Sequence, residues 1–234
     1  AVAAHELPPV GRDLVQHQEE RYVIDFYGLE PDQARTAYPQ LWERLARHIY
    51  PVRQQNNRAL YRNQWWLFGE PRPGLRRALA TAPRYIATSR TAKHRIFSFL
   101  PAGTLPDTKI VAIALDDGSA LATLSSRIHI VWAARAGGWL GVGNDPTYNH
   151  VECFGHFPFP ELDAATKRQL QQLGDALDAH RKARQQEHPT LTLTDMYNVL
   201  EKLRAGSSLD DDDLRIRDQG LIDTLRQLHD DIDR

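Results

Sequence analysis

Cysteine and methionine are almost missing from this chain: one of each in 234 residues, Cys153 and Met196. A lone cysteine excludes an internal disulfide and fits a reducing cytoplasm, because small secreted folds spread paired cysteines along the sequence. No apolar run approaches the roughly 18 residues that a membrane-spanning helix requires, and mean hydropathy is −0.53. No succession of charged, apolar and small residues of the kind that forms a secretory leader opens the sequence. The first residue is Ala1, and we expect a piece of a longer chain.

Catalytic signatures are also short of their parts. An amino-methyltransferase needs an Asn-Pro-Pro-aromatic loop for a flipped base, and a glycine-rich turn for S-adenosylmethionine. Asn144-Asp145-Pro146-Thr147-Tyr148 approaches the first, but Thr147 stands where the second proline belongs. Gly141-x-Gly143 approaches the second, but the two features overlap in one loop instead of occupying separate strand ends. A magnesium nuclease needs an acid ahead of an acid-x-Lys pair; Asp107-Thr108-Lys109 supplies the pair alone. His150, Cys153 and His156 have spacings that could ligate zinc, but on an aromatic stretch expected to be a strand we read a buried thiol and packed imidazoles.

Net charge is nearly absent as well, at −1, which would argue against a polyanionic partner if the charge were evenly spread. It is not. Between Trp42 and Arg95 twelve Lys or Arg face only Glu43 and Glu70, whereas the end of the chain carries Asp210 to Asp213 and then Asp218, Asp223, Asp230, Asp231 and Asp233. Such polarity suggests a phosphate-facing half and a solvated half.

With 41% hydrophobic residues the chain can bury one full core and a second small one. Residues 21 to 29 alternate like a short strand. Residues 31 to 50 read as helix with a break near Pro39 and a stop before Pro51, and residues 52 to 68 are again helical in character. Trp65 and Trp66 could stack on bases, but beside a Gly-Glu-Pro-Arg-Pro turn they are read as packing. Residues 84 to 100 and the apolar run 109 to 117 read as strands. A helix is expected from Ser119 to Ala136, capped by Ser119 and ended by a left-handed Gly137-Gly138 turn, with Leu121, Leu124, Ile128, Val131 and Trp132 on its buried stripe. Phe157 and Phe159, alternating with Pro158 and Pro160, are expected on a strand with both rings in the core.

After Pro160 three helices are expected. The first carries Leu170, Leu173, Ala176 and Leu177 on one stripe and a basic tail at Arg181, Lys182 and Arg184. The second starts at Thr194-Asp195 and ends at Gly206, and Asp210 to Asp213 open the third, where negative charge suits the helix dipole better than a metal.

Five ordered motifs are unusual enough to compare with known families. WWLFGEPRPGLRRAL (65–79), RYIATSRTAKHRIFSFL (84–100), LSSRIHIVWAARAGGWLGVGNDPTYN (124–149), CFGHFPFPE (153–161) and LTDMYNVLEKLRAG (193–206) together resemble the C-terminal part of the MmeI-like DNA methyltransferases. Those are large bacterial restriction-modification proteins, often with a nuclease on the same chain, that methylate the exocyclic amine of adenine. The resemblance runs from about Gly11 to the C-terminus. It implies a target recognition domain followed by a helical region that helps grip DNA, with the methyltransferase core and its S-adenosylmethionine lying upstream.

The expected fold is therefore α+β: a linker and helical lead-in over 1–80, a mixed-sheet target recognition domain over 81–160, and a C-terminal helical bundle over 161–234. The expected function is sequence-specific reading of duplex DNA, non-catalytic and without a cofactor or metal of its own, as part of an adenine-specific methyltransferase in the cytoplasm. Double-stranded DNA and the upstream methyltransferase domain are the expected partners, with no membrane. Three groups offer base-edge or phosphate chemistry. Ser89, Arg90, Lys93 and His94 lie between two strands; Asn144, Asp145, Asn149 and His150 lie in a glycine-rich loop; Ser125, Ser126, Arg127 and His129 match the LSSRIH motif. Alternatives are a module that docks a protein partner and a metal-dependent nuclease.

Overall fold

The computed structural model describes residues 4–7, 21–140 and 145–234. Strands β1 (Ala4–Leu7) and β2 (Arg21–Ile24) form an antiparallel ribbon. Five short helices follow: α1 (Pro31–Ala37), α2 (Pro39–His48), α3 (Tyr50–Gln54), α4 (Ala59–Asn63) and α5 (Pro73–Leu79). Proline sits in the first turn of α1, α2, α3 and α5, where its missing N–H would have had no partner. Pro51, expected to end a helix, thus starts one. Phe26, Ala34 and Leu45 make a small core with Trp42, Trp65 and Trp66 packed on it. The Trp66 indole N–H donates to the Leu29 carbonyl at 3.2 Å, so the adjacent tryptophans are packing residues.

The central sheet has order β4-β3-β5, with β3 at Arg84–Ser89, β4 at Ser98–Pro101 and β5 at Ile110–Ile113. Both pairings are antiparallel. The α+β class holds, but the sheet expected to be mixed is antiparallel throughout, because the short links 90–97 and 102–109 hold no crossover helix that could bring strands in parallel. Both faces of β3 are covered. Ile86 faces Phe99 and Ile113 across the strands and joins the main core, while Tyr85 and Ala87 join Leu79, Leu100 and Ile110 beneath α5. Two-sided burial explains the near-continuous apolar character of the strands.

Beyond the sheet the single helix expected over 119–136 is two: α6 (Gly118–Ser125) and α7 (Arg127–Ala136). Asp117 caps α6, accepting from the Ala120 N–H at 3.0 Å, and Ser119 lies inside the helix. The chain breaks at Ser126, whose backbone is extended and whose hydroxyl accepts from the His129 N–H at 3.3 Å. A serine that can cap a new helix competes with continuation of the old one. The break rotates α7, so His129 and Ala133 turn inward while Ile128, expected in the core, is 75% exposed. Gly137 is not left-handed (φ −77°). Glycine is required there because a Cβ would overlap the Thr147 carbonyl. A ribbon of β6 (Trp139–Leu140) and β7 (Asp145–Pro146) follows, then a π-helical turn, His150–Gly155. His150, Cys153 and the segment to Glu161 are therefore not a strand. Phe157 is buried, stacked edge-on against His129, but Phe159 is exposed.

Four helices complete the chain: α8 (Ala164–Glu187), α9 (Leu193–Ala205), α10 (Asp211–Gly220) and α11 (Ile222–Ile232). Asp210 and Asp213 form a reciprocal capping box, so the acidic run does open a helix. The three expected helices are four because Leu221 takes a left-handed conformation (φ 43°) between α10 and α11. One apolar core joins the sheet to this bundle, from Ile86 to Ile232.

Helix α8 binds the sheet through polar groups. Arg181, expected in a basic tail, is 2% exposed and donates to the Phe97 carbonyl at 2.8 Å and to the Tyr197 hydroxyl. Asp178 accepts the Phe99 N–H at 3.0 Å, and Lys182 donates to the Phe99 carbonyl at 2.7 Å. These residues are three and four apart, hence on one helical face. The opposite closure is tight: a Cβ on Gly174 of α8 would overlap the Gly118 carbonyl at the start of α6. Gly174→Ala should therefore lower the unfolding free energy by about 1–3 kcal/mol through overpacking. Urea denaturation checks this, and wild-type stability would show that α6 and α8 can separate at no cost.

Candidate nucleic-acid interface

Arg90 of one expected group and Asp145, Asn149 and His150 of another lie at one end of the sheet. The Arg90 amide donates to the Lys109 carbonyl at 2.6 Å, and the Arg90 carbonyl accepts from the Tyr148 amide at 2.7 Å. Thr91 and Thr147 form an antiparallel bridge, and the Thr147 amide donates to the Gly138 carbonyl at 2.7 Å. Segments 90–92, 145–148 and 138–140 thus lie side by side. Arg90, Lys109, Asp145, Asn149 and His150 are exposed there. Asn144 lies outside the described residues.

Arg95 holds this end together. Its guanidinium donates to the Ser89 carbonyl and, at 3.0 Å, to the Pro146 carbonyl, and it lies 5.1 Å over the Tyr148 ring. One side chain therefore ties the strand end to the loop. Burial pushes its pKa down to about 10, which leaves it charged at neutral pH. Nothing in the sequence distinguished Arg95 from the other basic residues of its stretch, Arg90 and Lys93.

Tyr148 and His129 form the floor. Burial pushes the Tyr148 phenol above its ordinary value, and its hydroxyl lies 3.2 Å from His129 Nε2. His129 Nδ1 lies 2.7 Å from the Leu124 carbonyl, which can only accept, so Nδ1 carries the proton and Nε2 receives the tyrosine hydroxyl. Desolvation lowers the His129 pKa, opposed by its hydrogen bond to Leu124.

The rest of the expected residues are placed differently. Ser89 and His94 are 3% and 8% exposed, so they offer a duplex little surface. Lys93 is exposed but turned to the bundle: its ammonium donates to Asn198 at 2.6 Å and lies 3.5 Å from Glu201. His94 Nε2 lies 2.9 Å from the same Asn198 oxygen. Lys93 borders an open cleft of about 400 Å³ whose lining includes Asn198, Lys202 and the acids Asp195, Glu201, Asp210, Asp212 and Asp213. Ser125 and His129 are buried, Ser126 caps α7, and the exposed Arg127 donates its amide to Asp233 at 2.7 Å. The LSSRIH motif is the helix break itself.

Asn149 caps the π-helical turn, its side-chain oxygen accepting from Val151 N–H at 2.9 Å and Glu152 N–H at 3.4 Å. Cys153 is buried, with its thiol toward the Ala133 carbonyl, and His156 pairs with Glu152 at 3.1 Å. Asp107 accepts from the Lys109 amide at 2.6 Å, so the half-match to a nuclease motif is a turn. Among the described residues no group of three or more His, Cys, Asp or Glu is arranged to hold a metal. No helix among them is long and apolar enough to cross a membrane.

No protein-family model and no curated protein sequence matches this chain. Among solved structures, its fold is similar to that of the type IIL restriction-modification enzyme MmeI in complex with DNA. The TM-score is 0.63 and the identity 14%, over 97% of this chain and 28% of that one. At that identity the likeness is one of fold, and this chain spans little more than a quarter of that protein's length.

Burial lowers the pKa of His180 and His229 as well as His129. The unfolded chain then takes up protons first as pH falls, so stability is full above about pH 6.5 and is lost below it. The expected slope is up to about 1.4 kcal/mol per pH unit for each histidine in that window, separate from the carboxylate region below about pH 4. Denaturant unfolding at neutral and mildly acidic pH checks the sign; stability that rises on acidification would contradict it.

Proposed function

We propose that this chain reads duplex DNA as the target recognition part of a longer restriction-modification protein. Residues 81–160 form the recognition unit, 1–80 the lead-in and 161–234 a bracing bundle. The catalytic step, transfer of a methyl group from S-adenosylmethionine to adenine, belongs to a core elsewhere in the parent chain. The carrying observation is the convergence of Arg90, Lys109, Asp145, Asn149 and His150 at one end of the sheet. Basic groups there suit phosphates, and an amide and a carboxylate suit base edges. The likeness to a restriction-modification enzyme solved with DNA supports the class of partner.

A second surface supports the upstream domain as partner. Ile49, Tyr50, Val52, Leu60 and Phe68 of the lead-in are all exposed. Apolar side chains at this density suit a domain interface.

Arg90→Ala should lower the slope of log affinity against log salt by about one unit, as loss of one phosphate contact does. Lys93→Ala should change it less, because Lys93 is already paired on α9. A binding titration with a mixed-sequence duplex over a salt series tests both, and an unchanged slope for Arg90→Ala removes it from the interface. Asn149 separates capping from reading. Asn149→Asp keeps an oxygen for Val151 and Glu152 but replaces an adenine-pairing amide with a cytosine-pairing acceptor. Selection from a randomised duplex pool should shift preference at one base position, with about 1–3 kcal/mol of discrimination involved. An identical preferred site would assign Asn149 to capping alone.

A further inference from the structure

The β6–β7 ribbon carries two large apolar side chains that the core does not use. Trp139 is 57% exposed and Leu140 56%. They are not at a ragged end: Trp139 pairs with Pro146 and Leu140 with Asp145 in an antiparallel register. Pro146 is in turn held by Arg95 at 3.0 Å and by the Ala92 amide at 3.5 Å. A paired backbone therefore presents an indole to solvent on a ribbon that neighbours the segment of the exposed Arg90, and shortly after the exposed Arg135 at the end of α7. Leaving an indole in water forgoes its large burial energy, and nothing in the fold requires a tryptophan at that position. Arg90 and Arg135 are exposed on segments that flank the ribbon and Asp145 lies within it, so a nucleic acid brings phosphates to meet the cations and flat apolar rings to meet the indole.

We propose that Trp139 stacks on a nucleobase of the bound duplex at a step that is opened or kinked, with Leu140 filling the space beside it. This rests on the DNA-reading proposal above and adds the element that would deform the duplex. Apolar wedges that enter a base step use unstacking energy to gain protein contact, and an indole tolerates any base because every base has a π-face. The step is cheaper to open where a pair is already missing, so Trp139 would favour a duplex with one abasic position over an intact one.

The test uses the chain as it stands, a short mixed-sequence duplex, and the same duplex with one central abasic site. Indole emission of the wild type should be quenched on adding duplex. In Trp139→Phe, which keeps Trp42, Trp65, Trp66 and Trp132, that quenching should vanish while affinity stays within a few-fold. Trp139→Ala should lose about 5- to 150-fold in affinity with no change in salt slope, and should lose the preference for the abasic duplex. Melting curves of both variants establish that they fold. If the wild type binds duplex with the expected salt dependence but Trp139→Ala binds equally well, or Trp139→Phe retains the full quenching, the stacking role falls and DNA reading stands. Absence of salt-dependent duplex binding by the wild type would overturn both.

Discussion

An edge strand buried inside a protein must find partners for the row of N–H and C=O groups that no neighbouring strand will meet. The outer edge of β4 solves this with side chains: Asp178, Arg181 and Lys182 on one face of α8 take the Phe97 carbonyl and both backbone groups of Phe99. The consequences spread. Arg181 is a guanidinium with 2% exposure, and its other donor goes to Tyr197, whose hydroxyl lies 2.7 Å from His229 on α11. A buried cation without its acceptors costs several kcal/mol, so α9 and α11 are bound to the same register as α8. Desolvation and the nearby Arg181 and Arg204 keep His229 neutral, as a ring beside a buried cation must be. Among the described polar atoms, the Arg181 Nε remains without a hydrogen-bond partner.

With one edge of the sheet fastened to the bundle, the strand ends become a fixed frame. Arg95 plays at the β3 terminus the part that Arg181 plays at the β4 edge, a cation satisfied by backbone carbonyls that joins two segments distant in sequence. The difference is location. Arg181 lies in the core, whereas Arg95 lies under a surface where Arg90, Asp145, Asn149 and Trp139 emerge. Loops and ribbon ends that carry recognition work best on such rigid supports.

The class of fold was readable in the sequence because strong local signals carried it: apolar runs in β3 to β5, the glycine that ends α9 and the acidic run that opens α10. The helix break at Ser126 was not, since an apolar stripe continues across it and only the capping competition of one serine decides the matter. The burial of Arg181 was hidden for a related reason: a charged residue in a helix is read as solvated unless an edge strand is known to lie against it. Arg90 and Asn149, named from residue type alone, are exposed at the end of the sheet. Arg95 and Tyr148, which position them, act through backbone carbonyls that no sequence pattern marks. Ser89 in β3, His94 in the link after it, Ser125 at the end of α6 and His129 in α7 have the expected chemistry but are buried.

Amide hydrogen exchange of the chain with and without duplex DNA tests most directly whether this end of the sheet is the reading surface. New protection is expected in 90–93, 107–110 and 145–150, with 207–234 unchanged. Protection confined to the acidic bundle, or to the exposed apolar helices of the lead-in, would contradict it.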